Sequence, residues 1–199
     1  ITVNPTPTVN VVNSQSVCNG ANTNSVSFSG AVNGATYSWT NNTPSIGLAA
    51  SGIGFIAPFT AINTGTVPVT ATITVTPSYF NAGATCTGTP RTFTITVNPI
   101  PSVTVPNNQT LCNGDNTAAV SFSGSVPGTV YNWTNNTPSI GLAASGTGNI
   151  SSFVATNAGA APITATITVT PIFTNGASCS GISRSFTITV NPTPTVNLV

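Results

Sequence analysis

The chain has 199 residues but only three charged side chains, Arg91, Asp115 and Arg184, and it has no Lys, Glu, His or Met. A usual charged share is about a quarter; this near absence leaves no base to activate a Ser or Thr nucleophile and no carboxylate pair for glycoside hydrolysis. A net charge of +1 gives nucleic acid or anionic lipid no electrostatic reason to bind, and no apolar run approaches the ~20 residues that span a bilayer.

Short alternating runs, bounded by Asn-Gly, Thr-Gly and Asn-Pro-Thr-Pro, predict an all-β chain of antiparallel sandwiches. ITVNP at 1–5 does not read as a signal peptide; it reads as the end of a preceding repeat. A first strand is expected near 8–12. In NSVSFSG (24–30), Val26 and Phe28 point inward, and in TYSWTNN (36–42) Tyr37 and Trp39 do the same. The stretch NNTPSIGLAASG (41–52) follows. Asn42-Thr43-Pro44 should turn, and a short strand at 46–50 should let Ile46 and Leu48 plug the sandwich. A displayed recognition loop is the other reading of that stretch. Strands are expected at 59–63, at 68–76 with Ala71, Ile73 and Val75 inward, and at 91–98 with Phe93, Ile95 and Val97 inward. VNPIPSV (97–103) then joins one repeat to the next, and Pro99 and Pro101 make an extended, semi-rigid joint.

Everything then happens again. Cys18 and Cys112, Trp39 and Trp133, NNTPSIGLAASG at 41–52 and 135–146, and TATITVTP at 70–77 and 164–171 all stand 94 apart. One residue is lost between Pro171 and Cys179, so Cys86 and Cys179, and FTITVNP at 93–99 and 186–192, stand 93 apart. ITVNPTPTVN occupies both 1–10 and 188–197. The expected organisation is the end of one repeat at 1–5, complete repeats at 6–99 and 100–192, and the start of another at 193–199. An odd number of strands per repeat should set the repeats end to end as a rod. The copies differ most at 53–58 and 78–85, which are expected to be exposed loop tips.

TYSWTNN, the long Thr-rich strand and the closing TFTITVNPTP resemble PKD-like domains, the immunoglobulin-like modules of extracellular proteins. Taken whole, the chain resembles the tandem repeats of giant cell-surface adhesins from gliding Bacteroidota. The resemblance implies export across the outer membrane by type IX secretion, gliding and secretion machinery as partners, and contact with surface polysaccharide or a substratum through other parts of the protein. PKD domains often carry an acidic segment after the Trp. Here the chain reads WTNNTP, which removes the carboxylates a metal role would need.

Four cysteines permit three connectivities. Bridges Cys18–Cys86 and Cys112–Cys179 would repeat one relation in both copies and are the expected pairing, with four free buried thiols as the competing reading. Disulfides imply an oxidising, extracellular setting. No metal site is expected: there is no Cys-x-x-Cys, and Asp115 stands alone as a turn residue. No cofactor and no catalytic residue are expected either. Tyr37 with Trp39, and Tyr131 with Trp133, could stack on sugars but are expected in the core. The expected function is a non-enzymatic stalk segment of a long surface adhesin, whose immediate partners are neighbouring repeats. The rival is a carbohydrate-binding accessory module of a secreted protein.

Overall fold

The computed structural model describes residues 1–194, so most of the expected start of a further repeat, 195–199, lies outside the described residues. Two compact units divide the chain. The first is Ile1–Pro99 together with Thr174–Cys179; the second is Ile100–Phe173 with the chain from Ser180. Among the described residues there is no α-helix, and so none long and apolar enough to cross a membrane.

In the first repeat the strands are β1 (Gln15–Cys18), β2 (Thr36–Asn41), β3 (Ser51–Ile53), β4 (Val69–Asn81), β5 (Ala84–Thr87) and β6 (Arg91–Asn98). They form one sheet in the order β1-β6-β4-β2-β3, with β5 also on β4. The second repeat copies this with β7 (Gln109–Cys112), β8 (Val130–Asn135), β9 (Ser145–Thr147), β10 (Ile163–Asn175), β11 (Ala177–Ser180) and β12 (Arg184–Asn191).

The period of two in the sequence becomes the two faces of this sheet. Ala71, Ile73 and Val75 of β4 and Phe93, Ile95 and Val97 of β6 are buried, while Thr70 and Thr96 meet on the other face through their hydroxyls at 2.9 Å. Thr164 and Thr189 repeat that bond at 2.9 Å. Such cross-strand hydroxyl pairs satisfy a polar face without charge.

The opposing layer supplies Val9, Val26, Ile46, Leu48, Ile56 and Ala61 to the same core. It is extended chain held by isolated bridges, Val26 with Ile56 and Asn22 with Thr60, and by the Asn10 N–H donating to Ser29 O at 2.8 Å. The segments 8–12, 24–30 and 59–63, expected as strands, are therefore extended chain that buries single residues such as Val9, Val26 and Ala61, not continuous ladders. The stretch expected as a strand at 46–50 instead begins with a 3₁₀ turn, Pro44–Ile46.

The all-antiparallel expectation needs a second correction. β1 runs parallel to β6, and Cys18 lies beside Asn98. A parallel pair cannot be joined by a hairpin, and here the chain passes through β2 to β5 between the two. Pro77 sits inside β4 without harm because the partner changes there. The β6 ladder ends at Val75–Arg91 and the β5 ladder begins at Ser78–Thr87, so the missing N–H falls in the gap.

Candidate functional site

The repeated NNTPSIGLAASG is a plug. Asn41 ends β2 facing inward, and its amide donates to Leu48 O at 3.0 Å and Ala49 O at 3.3 Å while its Oδ1 accepts the Thr43 N–H at 2.9 Å. Asn42 turns outward, where its Oδ1 accepts the Thr72 N–H of β4 at 2.8 Å. Gly47 closes the 3₁₀ turn at φ +97°, a conformation costly for any residue with a Cβ. Ile46 is wholly buried, and a Cβ on Gly52 would run into the Trp39 indole. Asn135, Asn136, Ile140, Gly141 and Gly146 repeat each contact. Ile46, Leu48 and Asn41 of the plug face the core, while Ser45 and Ser51 are exposed.

Trp39 and Trp133 are buried, with Tyr37 and Tyr131 packed partly buried beside them against Phe28 and Phe122. Burial pushes the Tyr131 phenol above its ordinary pKa. The Trp133 indole N–H donates to Gly148 O at 3.1 Å, whereas the buried Trp39 Nε1 has no partner among the described residues. Asp115 accepts the Cys112 N–H at 3.0 Å and closes the CNGDN turn. Among the described residues no three His, Cys, Asp or Glu side chains cluster. A surface groove of about 320 Å³ lies between Val9, Val11, Val12 and the Pro90–Phe93 segment, with Arg91 its one charge. Pro99 and Pro101 are both buried, on either side of the division between the units.

The chemistry of this chain is in its cysteines, and their pairing differs from expectation. Cys18 is bonded to Cys179, with a Cα–Cα distance of 5.6 Å across 161 residues of sequence, while Cys86 and Cys112 are free. The expected Cys18–Cys86 bridge is ruled out by register. Cys18 lies beside Asn98, next to the Val97–Val69 pair, whereas Cys86 faces Tyr79. Ten residues of β4 separate Val69 from Tyr79, about 33 Å at ~3.3 Å per residue, and a disulfide needs Cα atoms within ~7 Å. Cys112 beside Asn191 stands in the same relation to β10, so the expected Cys112–Cys179 bridge fails likewise.

What reaches Cys18 is the tip of the β10–β11 hairpin, Thr174–Cys179. Its turn is the single residue Gly176 at φ +72°, close against Ser16 of β1. In β4–β5 the turn is Ala82-Gly83, both at positive φ; the residue lost from the second repeat is lost here. Beside the disulfide, Asn98 is fully buried and donates to Asn175 O at 2.8 Å and Ala177 O at 3.3 Å, while the Asn175 amide returns a bond to Asn98 Oδ1 at 3.2 Å. Closing so long a loop is worth about 5 kcal/mol in the chain-entropy account.

Sequence reasoning found all four cysteines but missed this asparagine clasp. Its signal was present: Asn4, Asn98 and Asn191 each precede a proline, and Asn81 and Asn175 stand at the hairpin turn.

Residues 109–194 match the PKD-like domain family. No curated protein matches the chain. The PKD-like match and the disulfide fit an extracellular immunoglobulin-like module.

Proposed function

We propose that this chain is a non-catalytic, load-bearing stalk segment of a long, repetitive bacterial cell-surface adhesin. The observation that carries the reading is the Cys18–Cys179 bond. Tension applied outside residues 18–179 passes through one covalent bridge, and the chain between the cysteines, a sequence separation of 161, is spared extension. A module built only to present a binding surface gains stability from the bond but has no use for its force path. The plug, the hydroxyl ladders and the asparagine clasp serve the same end, since each secures strands without charge.

On this reading the repeats follow one another end to end, as Pro99 and Pro101 favour, and hold a distal adhesive region away from the cell. The resemblance to the gliding-motility adhesin SprB adds export by type IX secretion and a role in gliding and surface attachment, with polysaccharide or a substratum bound by other parts of the protein. The rival carbohydrate-binding reading loses its aromatic platforms, because Trp39 and Trp133 are each only 7% exposed. A glycan and surface-polysaccharide array probed with the chain decides between the two. A stalk binds none of the glycans, and saturable binding to any of them defeats the stalk reading.

A further inference from the structure

The asparagine clasp at Asn98–Asn175 occurs a second time, 94 residues earlier. Asn4 donates to Asn81 O at 3.0 Å, and Asn81 donates back to Asn4 Oδ1 at 2.9 Å. Asn4 is the counterpart of Asn98, and Asn81 of Asn175. Beside the later clasp stands the Cys18–Cys179 bond. Beside the earlier one, on β5, stands Cys86, the counterpart of Cys179, as a free thiol. The counterpart of Cys18 at that point falls 94 residues before Cys18, ahead of Ile1.

The other half of the arrangement also recurs. Cys112 pairs with Asn191 as Cys18 pairs with Asn98. The Asn113 N–H donates to Asn191 O at 2.9 Å, as the Asn19 N–H donates to Asn98 O at 2.9 Å. Asn98, under its hairpin, is fully buried; Asn191 is half-buried and Cys112 is exposed. Cys112 and Asn191 thus form a copy of the seat that Thr174–Cys179 fills at Cys18 and Asn98.

We propose that Cys112 and Cys86 are the two halves of further disulfides of the Cys18–Cys179 kind, made with neighbouring copies of the same repeat. Cys112 receives the hairpin cysteine of the copy that follows, and Cys86 is the hairpin cysteine that reaches back to the copy before. Each bond forms by thiol–disulfide exchange. A thiolate attacks a low-molecular-weight disulfide, and the second thiolate then displaces that reagent from the mixed disulfide. Two protein thiols become one S–S bond, and one reagent disulfide leaves as two thiols. Every joint in the array then carries one covalent staple that skips from the first strand of one copy to the hairpin of the next. The proposal rests on the chain belonging to a repeat array, but not on what a stalk binds.

The test is a tandem protein in which residues 1–192 run directly into residues 6–199. Its fusion point recreates ITVNPTPTVN, the sequence found at both 1–10 and 188–197. After refolding in a glutathione redox buffer, peptide mapping without reduction should link Cys112 of the first half to Cys86 of the second. Alkylation should then count two free thiols per molecule, and Cys112→Ser in the first half should raise the count to three. Four free thiols in a protein whose Cys18–Cys179 bonds are intact, or a bond between Cys112 and Cys179, would overturn the proposal. Neither result depends on the glycan array, so the two readings fail separately.

Discussion

Replacing Asn41 with Ala removes the amide that holds the plug to β2. Three bonds go with it, to Leu48 O, Ala49 O and from the Thr43 N–H, in a side chain only 5% exposed. At about 1 kcal/mol net for each, the loss is roughly 3 kcal/mol, and more if the Leu48 carbonyl is left dry. For a unit of about 100 residues, with a urea dependence near 1 to 1.5 kcal/mol per molar, the midpoint should fall by about 2 M. The second repeat supplies the control, because Asn135 makes the same three bonds at 3.0, 3.3 and 3.0 Å. Asn135→Ala should therefore cost the same to within roughly 0.5 kcal/mol, the usual spread for one such bond. Each unit has one tryptophan, so Trp39→Phe and Trp133→Phe backgrounds assign each fluorescence transition. A loss smaller than a single bond's worth, about 1 kcal/mol, in both copies would show that the plug is held by apolar packing alone. Unequal losses would show that identical sequence does not mean identical support.

Gly52→Ala drives a methyl into the Trp39 ring and should cost about 1–3 kcal/mol by overpacking, read as a lower urea midpoint with a changed Trp emission. Ala82 holds φ +50° at an exposed hairpin turn; Ala82→Asn or Ala82→Gly relieves that conformation and should stabilise the first unit by roughly 1 kcal/mol in thermal unfolding. With no histidine and one carboxylate side chain, the melting temperature should stay nearly flat from about pH 5 to 9. Tyr131 contributes to alkaline loss of stability: its folded pKa is raised by burial, so its contribution is complete below the unfolded value near 10 and is lost as pH rises through the folded value. Tyr131→Phe should remove part of that alkaline loss from the second unit, and an unchanged profile would refute the assignment.

The strands that carry the core were legible because their physics is local. In β4 and β6 the side chains alternate between core and surface over eight or more residues, and no other structure buries that pattern. The plug was legible as an apolar pair after a proline turn, although its 3₁₀ form was not, since three residues are too few to show a period. The opposing layer was over-read. Val26 alternates like a strand residue, but only a single bridge forms there, and its partner Ile56, expected in an exposed loop tip at 53–58, is instead buried in the core. The disulfide could not be chosen from sequence for a definite reason. Pairing Cys18 with Cys86 and pairing it with Cys179 are both relations that translation by one repeat preserves, so symmetry cannot separate them. The register of β1 on β6 separates them, and QSVC is too short to announce a parallel strand.

The pairing of Cys18 with Cys179 is most directly measured by pulling the chain from its two ends. With that bond intact, only about 38 residues lie outside the 161 it spans, so full extension should release about 130 Å of contour at ~3.5 Å per residue. Reduction should raise this to about 700 Å, the whole chain, at the same length per residue. The alternative pairing, Cys18 with Cys86 and Cys112 with Cys179, leaves about 64 residues free and would release roughly 220 Å. The shortest of these releases, becoming whole-chain extension only on reduction, is the result predicted here; the intermediate release, or whole-chain extension without reduction, would contradict it.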